Sequence, residues 1–334
     1  MATRVILTGI KPTGDPHLGN YLGAILPART LAQANPDHPK LFFIADAHAL
    51  TTLNNPQQLQ QFRRTIAATW LAFFTDVPQC YFYFQSDIAA IFELYWILSC
   101  VCPKGLLNRA HAYKSLVAAN TASHTDPDRG INHGLFSYPV LMAADILLFG
   151  TTHVPVGADQ KQHVEIAVEL AKQLNRHLKT PLPIPQPIIP DKAEVIPGID
   201  GQKMSKNYNN TLPLFAPPPD LKKRIAKIKT ASMPLGTPLD WTTCLVYQLF
   251  THVAPESAQA ALKADYESGR IGFGQAKEAL FTAYTTYFQS YGQAFENYIK
   301  APHTLDQIMQ SHTVVVRDMA NQRLQAIKQD LGLQ

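Results

Sequence analysis

Over the first 160 residues, short apolar runs alternate with stretches of helical spacing. Val5 to Thr8 runs up to Gly9, Leu41 to Ala45 up to Asp46, and Tyr81 to Phe84 up to Gln85. Between them, residues 20–34 and 57–74 repeat mostly at helical steps. Strands alternating with helices predict an α/β, doubly wound parallel sheet of Rossmann-like build, with helices on both faces. Ligands of such sheets sit beyond the C-terminal strand ends, which here are the turns at Gly9, Asp46 and Gln85.

Residues 159–178 predict an amphipathic helix, with Val164, Ala167, Val168, Ala171, Leu174 and Leu178 on one stripe. The segment Pro181-Leu182-Pro183-Ile184-Pro185-Gln186-Pro187 is too rich in proline for a helix or a central strand, and reads as an extended surface connection. Pro217-Pro218-Pro219 makes a second break. The chain beyond it reads as almost wholly helical, ending in a segment at 303–331 with Ile308, Val316, Ala320, Ile327 and Leu331 apolar. The expected division is a nucleotide-binding domain over 1–210 and a smaller all-helical domain over 211–334, the last helix packing back on the first domain.

With 334 residues, 46% hydrophobic and 16% charged, the chain has the make-up of a soluble globular protein. It has no run of eighteen uncharged apolar residues, so no membrane span is expected. Met1-Ala2-Thr3-Arg4 leads straight into a strand without a signal-peptide pattern. Cys80, Cys100, Cys102 and Cys244 form no C-x-x-C pair, so neither zinc nor a disulfide framework is expected, and a reducing cytoplasm fits. A net charge of +4 permits an RNA partner without arguing for one.

Two segments carry chemistry. Pro16-His17-Leu18-Gly19-Asn20 follows the first strand and opens a helix, whose free N–H groups and dipole suit phosphate. The loop before it, Thr8-Gly9-Ile10-Lys11-Pro12-Thr13-Gly14, is tight and rich in donors. Far downstream, Lys203-Met204-Ser205-Lys206-Asn207 offers two ammonium groups and a hydroxyl between Gly201 and Asn207, residues that permit mobility. Lysines so placed can follow charge developing on a leaving pyrophosphate. Taken alone, the first segment is as good a helix start as a catalytic site, and the second could be a solvated loop. Together and in this order they resemble the HIGH and KMSKS motifs of the class I aminoacyl-tRNA synthetases, tyrosyl/tryptophanyl subgroup. Asn207 stands where the second motif usually ends in serine, and Asn20 replaces the second histidine of the first, as is typical of tryptophanyl members.

A third segment, Tyr138-Pro139-Val140-Leu141-Met142-Ala143-Ala144-Asp145-Ile146-Leu147, places one carboxylate in an apolar run. Burying it unpaired is expensive, so Asp145 reads as a group facing a pocket and awaiting a donor. An ionised carboxylate only accepts and an indole N–H only donates, so the two match. Met142, a turn earlier, supplies a soft apolar wall. The segment resembles the substrate helix of tryptophanyl enzymes. Tyrosyl enzymes tend to carry glutamine where Met142 stands, and without it a bound phenol would leave lone pairs unsatisfied at roughly 1–3 kcal/mol.

Gly157-Ala158-Asp159-Gln160-Lys161-Gln162-His163 is a plausible helix cap by itself. Its resemblance to the family's G-x-D-Q segment implies that Gly157, Ala158 and Asp159 approach the ATP ribose and that Gln160 helps hold the substrate ammonium. The resemblance also implies a pocket lined by Leu7, His48, Tyr138, Met142, Asp145 and Gln160. His17, Lys203 and Lys206 are the implied catalytic residues. ATP is further expected at Lys11, Pro12, Thr13, Gly19, Asn20, Val195, Met204, Ser205 and Asn207. Lys11 stands where many members have glutamine, and Lys114, beside an insertion running through Ile131, is a weak counterpart of a phosphate-binding lysine. The run Lys222 to Lys229, with five basic residues in eight and Leu221, Ile225 and Ile228 apolar, reads as a solvated helix or as a phosphate contact.

The implied activity is activation of L-tryptophan by ATP, with Mg2+, followed by transfer to tRNA(Trp), carried out by a cytoplasmic homodimer with no membrane association. Tyrosine specificity is the alternative within the fold. A duplicated copy kept as a tRNA-binding or regulatory module, and a smaller HIGH-type nucleotidyltransferase, are the alternatives outside it.

Overall fold

The structure, a computed structural model, describes residues 4–189, 196–231, 233, 234 and 236–333. They form two compact units. The first takes the described residues of Met1–Thr13, Gly23–Ala193 and Ala301–Gln334, and the second those of Gly14–Leu22 and Glu194–Lys300.

The first unit is built on five parallel strands: β1 (Ile6–Ile10), β2 (Lys40–Ile44), β3 (Cys80–Phe84), β4 (His153–Pro155) and β5 (Gln186–Ile188). Their order is β3-β2-β1-β4-β5, so the winding reverses at β1. β2 is buried along its whole length, as the continuous apolar run Leu41-Phe42-Phe43-Ile44 requires of a strand covered on both faces. Ile10 pairs with Ile44, and Ile44 with Phe84. The three strands therefore end level, and the residues that follow them emerge along one edge of the sheet.

The proline-rich segment ends in structure where a surface connection was expected. Gln186–Ile188 pairs with β4 as the outermost strand. An edge strand can accommodate Pro187 because its outer side needs no N–H.

Asn55 caps helix Pro56–Phe74 by accepting the Gln58 N–H at 3.0 Å, and Pro56 occupies the first turn, where an N–H has no partner. The stretch expected as one helix at 20–34 is broken by a π-helical turn, Tyr21–Ile25, between Leu18–Asn20 and Leu26–Gln33. Helix Lys161–Asn175 buries Val164, Ala167, Ala171 and Leu174 of the predicted stripe, with Val168 half-buried, while Leu178 is buried beyond its end. The closing helix, Pro302–Asp330, packs on β3 and on helix Ala89–Val101, adding Val316, Ala320, Leu324 and Ile327 to the core. It thereby covers the free edge of β3, and His312 Nδ1 accepts the Phe82 N–H there at 3.3 Å.

In the second unit, helices Pro218–Ala226 and Leu245–Thr251 pack on the long helix Phe273–Lys300, burying Leu221, Ile225, Val246, Leu249, Leu280 and Tyr284. The short segment 14–22 belongs here because the Leu18 N–H bonds to the Leu212 carbonyl (2.8 Å) and the Leu214 N–H to the Pro16 carbonyl (3.0 Å). Tyr21 also meets Phe288 edge-on at 5.0 Å. Among the described residues, no helix is long and apolar enough to cross a membrane.

Candidate active site

The residues just past β2 and β3 build the first half of the site. Asp46 opens helix Asp46–Ala49, and its carboxylate accepts the N–H groups of Ala47 (3.0 Å) and Ser86 (2.9 Å) and the Ser86 hydroxyl (2.6 Å). Arg63 Nε lies 2.8 Å from the same carboxylate. The end of β2 is thus tied to the end of β3, which sets Gln85 beside His48. The Gln85 oxygen accepts the His48 backbone N–H at 3.3 Å.

Asp145 meets them from helix His133–Leu147. Its carboxylate is fully buried and takes Gln85 Nε2 at 2.9 Å on both oxygens and His48 Nε2 at 2.9 Å. Burial holds its pKa above the usual carboxylate range, against the pull of the His48 and Gln85 hydrogen bonds. The expectation of a carboxylate awaiting its donor is therefore modified, since the protein supplies three contacts of its own. A charge in a dry interior cannot stand without them. Met142 is half-buried against the same core, and Leu7 is buried within it.

A second cluster adjoins the first. The His48 and Tyr138 rings meet edge-on at 6.3 Å, and the Tyr138 hydroxyl lies 2.5 Å from His163 Nε2. His163 Nδ1 in turn lies 2.8 Å from the Gln160 side-chain oxygen. His163 stands one turn after Gln160, in the first turn of helix Lys161–Asn175. Burial pushes the His163 imidazole down to about 4, so it is neutral at pH 7. Ala158–Gln160 form the 3₁₀ turn leading into that helix, with Gly157 as its N-cap, and a β-carbon on Gly157 would lie only 2.8 Å from Asp159 Oδ1. At the end of β1, Lys11 and Thr13 close a tight turn around Pro12 (N–H to carbonyl, 3.0 Å), and the Lys11 ammonium donates to Thr51 Oγ1 at 3.4 Å.

Within the second unit the two sequence motifs meet. The Gly19 N–H points at the Met204 sulfur at 3.3 Å, across 185 positions of sequence. Gly14 has φ +135°, and a β-carbon there would come within 3.1 Å of Lys206 Cδ, so the missing side chain is the space the lysine fills. His17 is buried, and burial together with the Lys206 charge pushes it down to about 4. Its Nδ1 is buried without a hydrogen-bond partner among the described residues. Asn20 Oδ1 accepts the His17 N–H at 3.1 Å. Burial lowers the Lys206 ammonium to about 8, with Asp15 opposing.

The lysine loop is braced from inside by Asn210, which is 1% exposed. Its side chain accepts the Ser205 N–H (2.8 Å) and donates to the Lys203 carbonyl (3.1 Å) and Asp200 (2.8 Å). Lys203 bridges to Pro197 through its backbone, with an exposed side chain. Asn207 lies in the short 3₁₀ turn Lys206–Tyr208. Val195 lies outside the described residues. Lys114 is exposed on helix His111–Ala122, which buries none of its described residues. In the basic run, Lys222 pairs with Glu278 at 2.9 Å and Lys223 with Asp220 at 3.8 Å.

The site residues that the sequence reading did not single out are Gln85, His163, Asn210 and Gly14. Gln85 bore the same signal as His48, a polar group at the C-terminal end of an apolar strand. His163 carried the one-turn spacing from Gln160.

Residues 2–289 match the family described as class I tRNA synthetases (W and Y). The tryptophan–tRNA ligase of Pseudomonas aeruginosa is 43% identical over 337 residues, covering 100% of this chain and 74% of that one. The tryptophanyl-tRNA synthetase of Campylobacter jejuni, solved with ADP and tryptophan, is similar at TM-score 0.87 and 38% identity, covering 98% of this chain and 99% of that one. The tryptophanyl-tRNA synthetase of Mycoplasma pneumoniae is similar at TM-score 0.80 and 27% identity, covering 100% and 99%.

Proposed function

Because this chain belongs to the class I tRNA synthetases of the tryptophan and tyrosine group, we propose that it is a tryptophan–tRNA ligase whose two clusters divide the work. One observation carries the assignment of residues. The Gly19 N–H meets the Met204 sulfur while Lys206 fills the space over Gly14, and this meeting of the two motifs supports reading them as one phosphate-facing surface.

The tryptophan carboxylate attacks the α-phosphorus of ATP. A P–O bond to that phosphorus forms as the bond to pyrophosphate breaks, giving tryptophanyl-adenylate. Lys203 and Lys206 stabilise charge as it gathers on the leaving pyrophosphate, and His17 offers a neutral imidazole to the phosphate oxygens. No side chain becomes a covalent nucleophile, so rate comes from positioning and charge stabilisation. Mg2+ enters as part of the nucleotide substrate, on its phosphate oxygens. The tRNA terminal ribose hydroxyl then takes the acyl group and AMP departs.

Asp145 accepts the indole N–H, Met142 walls the ring, and Tyr138 and Gln160 take the ammonium. Gly157 to Asp159 and Lys11 to Thr13 border the nucleotide. The helices from Pro218 onward contact the anticodon end of tRNA(Trp). Phe92 and Trp96 stand 38% and 68% exposed one turn apart on helix Ala89–Val101, and a second copy covering them makes the homodimer. The tRNA substrate sets the reaction in the cytoplasm.

Charging of bulk tRNA with labelled amino acids tests the assignment. Tryptophan should be esterified and tyrosine should not. Equal charging by tyrosine would replace the tryptophan reading with the tyrosyl one, and tRNA binding without charging by either would favour a regulatory module.

A further inference from the structure

The hydroxyl of Tyr138, the imidazole of His163 and the amide of Gln160 form a chain whose hydrogen-bond directions are fixed from one end. The Asp159 carboxylate only accepts, so the Gln160 atom 3.2 Å from it is the amide nitrogen. That turns the amide oxygen toward His163 Nδ1 at 2.8 Å, so Nδ1 must carry the proton. The imidazole is 5% exposed and neutral at pH 7, and therefore has only this one N–H. Nε2 is then an acceptor, and the Tyr138 hydroxyl donates to it at 2.5 Å.

Both substrate-facing oxygens are left with lone pairs alone. The opposite tautomer would put an N–H on the Tyr138 oxygen and free the hydroxyl proton to point elsewhere. An ammonium has three donors and no acceptor, so it matches the first arrangement and is repelled by the second. We infer that His163 is a positioning residue whose Nδ1-protonated tautomer presents Tyr138 and Gln160 as a pair of acceptors to the ammonium of the amino-acid substrate. The inference rests on the reading that Tyr138 and Gln160 face that substrate. It adds what makes them acceptors.

Titration calorimetry on the full chain with tryptophan and with indole-3-propionate, which lacks the ammonium, tests it. The unaltered chain should prefer tryptophan. His163→Phe should weaken tryptophan on the order of tenfold and leave indole-3-propionate unchanged. His163→Gln, which keeps a donor and an acceptor on one planar group, should recover part of the loss. A preference for tryptophan that survives His163→Phe intact, or a loss shared equally by both ligands, overturns the inference alone. No preference in the unaltered chain overturns the reading of Tyr138 and Gln160 and the inference with it. Nitrogen-15 NMR of the histidine-labelled unaltered chain decides without any variant. A proton on Nδ1 and a bare Nε2 are expected at His163, and an Nε2–H form would contradict the inference.

Discussion

Gln85 donates its side-chain nitrogen to both oxygens of Asp145, 2.9 Å each, while its own oxygen accepts the His48 N–H. The backbone N–H can only donate, so the amide cannot flip, and both oxygens of Asp145 are held in place by it. Asp145→Ala should weaken tryptophan use by about 1–3 kcal/mol and leave the KM for ATP unchanged. 1-Methyltryptophan, which has no indole N–H, should be a poor substrate for the unaltered chain and lose little more in the variant. Steady-state kinetics with both compounds measure this, and unchanged tryptophan kinetics would remove Asp145 from the pocket.

The Lys206 ammonium, lowered to about 8 by burial, gives a pH signature. kcat/KM for ATP should fall as pH rises through about 8, because the neutral amine no longer stabilises phosphate charge. Stability moves the other way. An unfolded lysine keeps its proton to about 10.5, so the unfolded chain binds more protons between 8 and 10.5 and the folded chain gains stability as pH rises there. Loss of rate in that window is therefore not unfolding. Lys206→Arg, whose charge does not titrate, should remove the limb. A limb that persists in the variant would assign it to another group.

Gly14→Ala tests the space that Lys206 occupies. At φ +135° a β-carbon is strained, and it would press on Lys206 at 3.1 Å. The substitution should cost on the order of 1 kcal/mol in thermal unfolding and slow single-turnover adenylation, with tryptophan affinity unaltered. Adenylation at the unaltered rate would separate Gly14 from the lysine.

The basic run tests the tRNA contact. Changing Lys222, Lys223 and Lys227 together to glutamine should leave adenylate formation unaltered, weaken tRNA binding and flatten its salt dependence. Because Lys222 and Lys223 already pair with Glu278 and Asp220, the change in slope should be smaller than three full phosphate contacts. Equal damage to both half-reactions would point to structure, and no effect on either would make the run a solvated face.

What was legible in the sequence was what local pattern encodes. The three long strands appear within about two residues of their apolar runs, because strands packed inside a covered sheet carry continuous apolar stretches. Asp145 stood out as a lone charge in an apolar helix. His48 was expected in the same pocket, but its pairing with Asp145, and that of Gln85, was not legible, since the two lie 97 and 60 positions away and only the folded chain brings them there. β5 was hidden by its prolines and by having three residues, too few to show alternation. That residues 14–22 join the described residues of 194–300 in one unit rests on contacts such as Leu18 to Leu212, which periodicity does not register.

Amino-acid-dependent exchange of labelled pyrophosphate into ATP, run on the full chain with each amino acid in turn, tests the central claim most directly. It isolates adenylate formation from tRNA and reads substrate choice and phosphate chemistry together. Exchange should depend on tryptophan, should fall by orders of magnitude with tyrosine or phenylalanine, and should be lost in Lys206→Ala while that variant still binds tryptophan. Exchange supported by tyrosine as well as by tryptophan, or undiminished in Lys206→Ala, would contradict the account.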